Sequence, residues 1–471
     1  MADKYRLLLK NARQVVQVVD SGQKIVKGDS MKRLAVLQGN DVTFSIVVNQ
    51  FGRIAAIDES SIIAKNYEIS QFEEVIDATG CCVLPGLVDS HTHPVWAGDR
   101  VHEFAMKLAG ATYLEIHEKG GGIHFTVKHT RDASEEYLLE SLVERLDAML
   151  AAGTTLVEAK SGYGLDLQTE LKMLHTIEKA RIRTPIEISS TYCGAHAVPK
   201  GKNAEEATED IVTRQLPDIK RRILEGTLTV ENIDVFCEKG VFDVESSRKI
   251  LQAGREAGLR LNFHAEELNW IGGVEMGTSL GAEAMSHLEC VSDAGIEAMA
   301  KAGSVAVVLP TTAFLLRLEP PPVRRLIEAG VAVSLGSDFN PNAYCLAMPM
   351  VMYLACVVCG MSLEESLVAA TINGAASLGR SSTHGSLEVG KCADMLVVEA
   401  PSWEHLVYRF GCHDSLIKWV VKAGKVVHQR AVPVHYQSAF RWWRETLRRH
   451  SRCFGFRSRR GYRVHFFLHR R

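Results

Sequence analysis

Between residues 83 and 338, eight short apolar segments alternate with segments of helical spacing. Several of the helical segments end at a glycine, as expected just past the end of a helix. This alternation is typical of parallel βα units, and eight units in about 260 residues predict a closed (β/α)8 barrel of the TIM type. An open doubly wound sheet is the alternative, but no GxGxxG motif follows the first strand. The predicted strands are 83–91, 154–160, 186–194, 232–238, 260–266, 282–289, 304–310 and 331–338.

Strand signals also flank the barrel on both sides. Residues 1–82 and 381–428 each contain short apolar or alternating runs separated by Gly and Asn. Because the two segments share this pattern of short strands and turns, we predict one small β-sandwich built from both ends of the chain. The barrel domain, at 83–380, is inserted between its halves. Residues 429–471 differ, because they contain 12 arginines, no lysine and several aromatic residues. We predict a poorly ordered basic tail there; the alternative is a segment that binds RNA or an anionic surface.

Composition restricts the class of partner. The hydrophobic content of 46% in 471 residues allows a large core, and the net charge of −2 gives no overall field that would attract nucleic acid or a membrane. The longest apolar run, residues 346–360, is shorter than the roughly 20 residues of a membrane span, so we predict a buried helix with Cys356 and Cys359 in the core. Scattered cysteines and the lack of a secretory signal favour the cytoplasm. Any specificity for a partner must therefore come from a local site.

Ligand-type side chains lie at the carboxyl ends of four predicted strands. His91 and His93 close strand one and point the same way, because residues i and i+2 of a strand share a face. His264 closes strand five, His287 strand six and Asp338 strand eight. Each taken alone is more often a hydrogen-bonded structural residue. Together, at the face where barrel enzymes carry their sites, they predict a centre for zinc or iron.

Longer motifs surround these residues and carry a resemblance to a known family. They are "DSHTHPVWAGDR", "GGGIHFTV", "EAKSGYGLD", "YCGAHAVP", "NFHAEELN" and "GSDFNPN". The chain resembles the amidohydrolase superfamily of metal-dependent hydrolases, whose members share the HxH pair, the two later histidines, the aspartate and the sandwich. Over residues from about 5 to 428 it is most similar to the branch that opens 4-imidazolone-5-propanoate with water to N-formimino-L-glutamate. The resemblance implies that cyclic amide hydrolysis.

Carried over residue by residue, the resemblance implies one zinc or iron ion and a substrate pocket. The implied metal ligands are His91, His93, His264 and Asp338. The implied substrate-binding residues are Arg100, Tyr163, His196, Glu267, Asn340 and Asn342. Without the resemblance, each pocket residue would more often be structural or solvated. Arg100 has chemistry suited to the role, because a guanidinium holds a carboxylate with a two-point fork.

The resemblance also implies a mechanism in which metal-activated hydroxide attacks the ring carbonyl. Asp338 orients the water and takes its proton, His287 stabilises the developing oxyanion, and Glu267 handles protons on the ring nitrogens. This division of acid and base roles is a hypothesis. Superfamily members with two metals bridge them by a modified lysine or a glutamate on strand four. We interpret the nearest candidates, Lys160 and Glu238, either as structural residues or as side chains that support the metal ligands.

Two other functions compete with this interpretation. An aminohydrolase acting on guanine or cytosine would use the same metal site, but a neutral base needs no carboxylate clamp at Arg100. A non-catalytic scaffold on the same fold would lack metal ligands, whereas this sequence keeps all four. The residues do not distinguish zinc from iron, since both accept three histidines and an aspartate. A homodimer is the assembly that the superfamily implies.

Overall fold

The computed structural model describes residues 4–110 and 121–431. The chain up to Gln429 forms one compact unit. From residue 432 onward, the predicted basic tail lies outside the described residues, as do residues 111–120 of the connection after the first barrel strand. Within the described ranges, no helix combines the length and apolar character that crossing a membrane requires.

Two sheets from the two ends of the chain form a sandwich, which confirms the β-sandwich predicted beside the barrel. The four-stranded sheet has the order β5-β4-β1-β6, and the six-stranded sheet has the order β18-β17-β16-β7-β2-β3. Side chains of both sheets, among them Leu7, Ile46, Val83 and Val397, share one apolar core. The strands are β1 Tyr5–Ala12, β2 Gln14–Val18, β3 Ala35–Gln38, β4 Phe44–Asn49, β5 Ile54–Glu59, β6 Phe72–Asp77, β7 Cys82–Pro85, β16 Met395–Val398, β17 Ile417–Lys422 and β18 Lys425–Gln429.

The central sheet has eight parallel strands in sequential order, as predicted for a barrel. Its ends meet where Ser90 N donates to Leu335 O at 3.3 Å and Asp338 N donates to His91 O at 2.9 Å. This contact brings the HxH segment next to the aspartate of the last strand. The strands are β8 Leu87–Asp89, β9 Thr154–Lys160, β10 Glu187–Ala195, β11 Asn232–Cys237, β12 Arg260–Ala265, β13 Ala284–His287, β14 Val305–Val308 and β15 Ala332–Leu335.

The first predicted strand, 83–91, is two strands in the structure. β7 pairs with β16 in the sandwich, and the chain then passes through Gly86 into β8 of the barrel. A Cβ atom on Gly86 would lie 2.1 Å from Thr155 Oγ1, so only glycine permits this close passage. The domain boundaries at 82/83 and 380/381 stay a prediction.

Helices cover the barrel, and capping side chains mark where several begin. Asp166, for example, accepts a hydrogen bond from Thr169 N at 2.9 Å. The α-helices are Ser60–Asn66, Val101–Leu108, Ile123–Asp132, Glu135–Ala151, Leu167–Ala180, Ala204–Asp210, Leu216–Leu224, Val244–Glu256, Gly273–Leu280, Asp293–Ala302, Pro310–Leu316, Val323–Glu328, Met348–Val357, Leu363–Ala369, Ile372–Ser377 and His405–Tyr408. Short turns of 3₁₀ helix at Gly28–Lys32, Ile69–Gln71 and His413–Ser415 and a π turn at Ile211–Gln215 complete them.

The apolar run 346–360 forms the helix Met348–Val357, as expected for a core segment. Cys359 is buried, and the Cys356 thiol lies 3.7 Å from Ser362 O. The ten cysteines of the described ranges are all free. The CxxC pair is therefore part of the packing around this helix.

Candidate metal centre and active site

His91 and His93 follow β8 directly, and the structure brings them together with Asp338 as the sequence predicts. The ligand-type atoms of these three residues lie within 4.8 Å of one another. Asp338 Oδ1 is 3.5 Å from His91 Nε2 and 3.6 Å from His93 Nε2. His91 Nε2 is buried and finds no hydrogen-bond partner among the described residues. An orphaned nitrogen facing a carboxylate at this spacing fits a bound cation.

His264, at the end of β12, completes the cluster from the opposite side of the barrel. Its ring centroid lies 4.5 Å from that of His91. His264 Nδ1 donates to Asp234 Oδ1 at 2.8 Å, and His91 Nδ1 lies 2.8 Å from Ser286 Oγ. Because each Nδ1 is engaged, the Nε2 atom of each ring is left to bind metal.

The protonation states of these histidines suit ligation. Burial lowers the pKa of His91 and of His93 well below the usual value, and neighbouring cationic groups lower them further. Burial also lowers the pKa of His264, against the attraction of Asp234. The imidazoles are therefore neutral at pH 7, as metal binding requires. Asp338 Oδ2 accepts a hydrogen bond from the Thr312 hydroxyl at 2.5 Å, which leaves Oδ1 facing the histidines.

A buried cation lies behind the cluster. Lys160 Nζ is 2.5 Å from Glu158 Oε2 and 2.7 Å from Asp234 Oδ2, and all three side chains are almost fully buried. Burial acts to lower the pKa of Lys160, but the two carboxylates outweigh it and raise the pKa. Asp234 therefore connects a permanent positive charge to His264. These contacts agree with a structural interpretation of Lys160.

Glu238 acts on the loop that follows β12. Its carboxylate accepts hydrogen bonds from Leu268 N at 2.9 Å and from Asn269 Nδ2 at 2.9 Å. Glu266 accepts from Gly273 N at 2.6 Å in the same loop. Both carboxylates are thus occupied in shaping the backbone beside Glu267, which also agrees with the structural interpretation of Glu238.

His287 differs in charge from the other histidines. Its Nε2 lies 3.6 Å from Glu267 Oε2 and its Nδ1 lies 3.7 Å from Glu289 Oε2. Burial opposes protonation, but Glu267 and Glu289 outweigh it and raise the pKa of His287 to about 10. Burial raises the pKa of Glu267 to about 7, against the attraction of His287. His287 could complete a ligand group with His91 and His264 by distance, but as an imidazolium it suits a hydrogen-bond donor better.

Tyr163 and His196 line the other side of the cluster. The His196 ring stacks on His93 with centroids 4.5 Å apart, and Tyr163 lies 5.2 Å from His196. Burial lowers the pKa of His196 to about 3. Nitrogen atoms of His93, His196 and His264 lie within 4.8 Å of one another, so these three rings form a second group that could hold a metal ion. Glu170 accepts hydrogen bonds from Gly162 N and Gly164 N, which holds the loop carrying Tyr163.

Arg100 is positioned by Glu103, a residue that no sequence motif indicated. Its Nε and Nη2 donate to the two oxygens of Glu103 at 2.9 and 2.7 Å. Glu103 Oε1 also accepts from Gly122 N at 2.9 Å, in the glycine-rich segment. One edge of the guanidinium is therefore engaged, whereas Nη1 has no acceptor within residues 4–110 and 121–431.

Asn340 and Asn342 lie in the loop after β15. Asn340 Nδ2 donates to Asp338 O at 2.7 Å, and Asn340 Oδ1 accepts from Asn342 N at 2.8 Å. Asn342 Oδ1 accepts a hydrogen bond from Lys107 Nζ. Asn340 thus organises the backbone beside Asp338, while Asn342 faces the helix that follows Arg100.

Replacing Asp234 tests how His264, a predicted metal ligand, is held. Asp234→Leu is expected to weaken zinc affinity about 10- to 100-fold, because His264 loses the acceptor that fixes its Nδ1 proton. Asp234→Asn keeps an oxygen acceptor and is expected to lose less. Competition with a chromophoric chelator measures the affinities, and the exposed Asp132→Asn serves as control. Equal zinc affinity in Asp234→Leu and the unaltered protein would contradict this role.

The fold and the metal-ligand geometry together define the class of protein. The model of the amidohydrolase family matches residues 82–427, and the chain belongs to that family. The chain is 57% identical over 429 residues to a human protein named probable imidazolonepropionase, covering 91% of this chain and 100% of that protein. Relatives with the same name are 59% identical over 428 residues in Danio rerio and 50% identical over 424 residues in Dictyostelium discoideum, covering 91% and 90% of this chain and 98% of each relative.

Solved structures share the fold at low sequence identity. Guanine deaminase from E. coli matches with a TM-score of 0.69 and 16% identity, over 90% of this chain and 99% of that chain. An adenosine deaminase from Xanthomonas campestris, solved with bound zinc, matches with a TM-score of 0.68 and 17% identity, over 95% and 99%. At this level of identity, these similarities show a shared fold alone.

Proposed function

We propose that this chain hydrolyses 4-imidazolone-5-propanoate to N-formimino-L-glutamate, a ring-opening step of histidine degradation. The observation that carries the proposal is the 57% identity along the whole human relative named probable imidazolonepropionase. The site contributes the groups that the reaction needs: a cluster able to hold a metal ion, the imidazolium of His287, the carboxyl group of Glu267 with its pKa raised to about 7, and the Arg100 guanidinium, whose Nη1 has no acceptor among the described residues. The substrate is a small molecule.

We assign one zinc or iron ion to four ligands, which are His91, His93, His264 and Asp338. The approach of Asp338 Oδ1 to His91 and His93 and the lowered pKa values of the three histidines support this set over one that includes His287, whose pKa is raised. When bound, a divalent ion lowers the pKa of a coordinated water to about 7 and so provides a nucleophile at neutral pH. Asp338, whose Oδ2 accepts a hydrogen bond from Thr312, is the side chain that would orient the attacking water and take its proton.

The remaining groups act on the substrate. His287 donates a hydrogen bond to the ring carbonyl oxygen and stabilises the negative charge that develops as water adds. Glu267 gives a proton to the ring nitrogen as the C–N bond breaks, so that nitrogen leaves as a neutral group. Arg100 holds the propanoate carboxylate, and Tyr163 and His196 line the ring pocket. Asn340 and Asn342 shape the side of the pocket nearest Asp338.

The decisive experiment is an assay with freshly prepared 4-imidazolone-5-propanoate. The metal-loaded protein should abolish the ultraviolet absorbance of the substrate and release N-formimino-L-glutamate, identified by mass spectrometry. A chelator should stop the reaction, and added zinc or iron(II) should restore it. No turnover by the metal-loaded protein, together with deamination of guanine or cytosine, would replace this proposal by the aminohydrolase alternative.

The pH dependence of turnover tests the role of Glu267. A general acid must be protonated, and the raised pKa of about 7 keeps the protonated form present below pH 7. We therefore expect kcat to fall as the pH rises through about 7. Glu267→Gln should lower kcat by about 100- to 10,000-fold and abolish this decline. A decline that persists unchanged in Glu267→Gln would assign the titration to another group.

We place the protein in the cytoplasm on the strength of its free thiols, which persist in a reducing compartment. The homodimer implied by the superfamily stays a prediction. Size-exclusion chromatography with light scattering measures the assembly directly.

A further inference from the structure

The helix Val101–Leu108 buries charged side chains and exposes apolar ones, which is the reverse of an ordinary surface helix. Arg100, Glu103 and Lys107 are spaced by three and four residues, so they share one face. That face points inward, since Glu103 is 1% exposed and Lys107 is half-buried. The outward face carries exposed apolar side chains, namely Val101, Phe104 and Leu108. A helix normally buries its apolar stripe, so an inward charged stripe needs a partner of its own.

The charges on the inward face do not cancel. Burial favours a neutral Glu103, but its two-point contact with Arg100 outweighs burial and lowers the pKa of Glu103, so the carboxylate stays ionised. Arg100 and Glu103 therefore form a neutral pair. Lys107 donates to the uncharged amide oxygen of Asn342. The three ionisable groups together carry a net charge of +1.

A substrate carboxylate bound by Arg100 alone would lie beside the ionised Glu103. The attraction of the guanidinium would then be offset by a like charge within the same buried cluster. Lys107 lies in the electrostatic field of both residues, with burial and the charge of Arg100 lowering its pKa. An incoming anion would relieve that repulsion and balance the cluster. Lys107 is thus the charge in this group that still lacks an ionic partner within the described residues.

We propose that Lys107 recognises the substrate carboxylate together with Arg100, and that its hydrogen bond to Asn342 holds the ammonium group ready for that contact. This inference rests on the proposed function for the identity of the substrate. Arg100 offers Nη1, which has no acceptor in the described part of the chain, and Lys107 adds the positive charge that Glu103 cancels on Arg100. Asn342 takes part as the support of Lys107. Lys107 is therefore a determinant of specificity for anionic over neutral heterocycles.

A purely structural role makes a different prediction. If the Lys107–Asn342 hydrogen bond only tethers the helix to the loop after β15, its loss would weaken the binding of charged and uncharged ligands alike. Recognition of a carboxylate would weaken the binding of the charged ligand alone. Two probes that differ in this one group therefore separate the two roles.

The test measures dissociation constants of the metal-loaded protein for imidazole-4-propanoate and for its uncharged analogue imidazole-4-propanamide, by calorimetry. The unaltered protein should prefer the carboxylate. Lys107→Met should weaken carboxylate binding about 10- to 100-fold, as expected for loss of a charged hydrogen bond, and leave carboxamide binding unchanged. Lys107→Arg should keep most of the preference. Lys128→Met, at an exposed lysine of the helix Ile123–Asp132, is the matched control and should change neither constant.

Every other result of these binding measurements contradicts the proposed role of Lys107 in recognising the carboxylate. An undiminished preference in Lys107→Met, with a preference lost in Arg100→Met, would leave recognition to Arg100 alone. Equal weakening of both probes would show a structural tether. If the unaltered protein turns over 4-imidazolone-5-propanoate while Lys107→Met keeps its preference, only this inference fails. If the unaltered protein shows neither turnover nor preference, the proposed function fails with it.

Discussion

Asp338→Asn is expected to lower kcat by about 100- to 10,000-fold while the protein still folds and binds metal. The amide has the shape of the carboxylate and can keep an oxygen towards His91 and His93, which lie 3.5 and 3.6 Å from Oδ1. It cannot take a proton from water, however, so the nucleophile is no longer activated by this side chain. Steady-state kinetics combined with metal analysis of the same sample measures both quantities.

Thr312→Val is compared with Asp338→Asn to test how the orientation of the Asp338 carboxylate affects turnover. It removes the hydroxyl that donates to Asp338 Oδ2 and leaves the carboxylate in place. Its kcat should fall by less than that of Asp338→Asn, because the proton acceptor is still present but is less firmly oriented. An Asp338→Asn protein with a full complement of metal and undiminished turnover would remove Asp338 from the role of base.

The barrel could be predicted from the sequence because its signals are local. Each parallel strand is a short apolar run bounded by a helix, and β9 occupies 154–160 as expected from that pattern alone. The ligand-type residues could be found for a similar reason, since each lies within four residues of the carboxyl end of a barrel strand. The passage from the sandwich to the barrel could not be predicted, because Gly86 separates β7 from β8 within one continuous apolar run. The close approach of Thr155, which makes glycine necessary there, exists only in the folded chain.

The residues that support the site were not predicted, because they act across strands. Asp234 lies within β11 and holds His264 of β12, and Ser286 of β13 contacts His91 after β8. Which polar residue faces which histidine depends on strand register and on the curvature of the barrel. Glu103 is different, because its spacing of three residues from Arg100 is visible in the sequence. Recognising Val101–Leu108 as a helix would have indicated that pair.

Lys160→Met is expected to destabilise the fold by about 3–5 kcal/mol, the usual cost of removing one partner from a buried ionic group. Lys160 is the cation between Glu158 and Asp234, and all three side chains are at most 1% exposed. Without the ammonium, two carboxylates would remain buried at close range inside the barrel. Urea unfolding of the metal-free proteins, followed by circular dichroism, measures the difference.

Two further variants show whether charge or packing causes this loss. Lys160→Met combined with Glu158→Gln leaves one buried carboxylate instead of two, so it should recover part of the stability. Lys179→Met breaks the exposed ion pair with Glu135 and should cost less than about 1 kcal/mol. If the double variant is as unstable as Lys160→Met, the lysine stabilises the barrel through its packing and not by balancing the charges of Glu158 and Asp234.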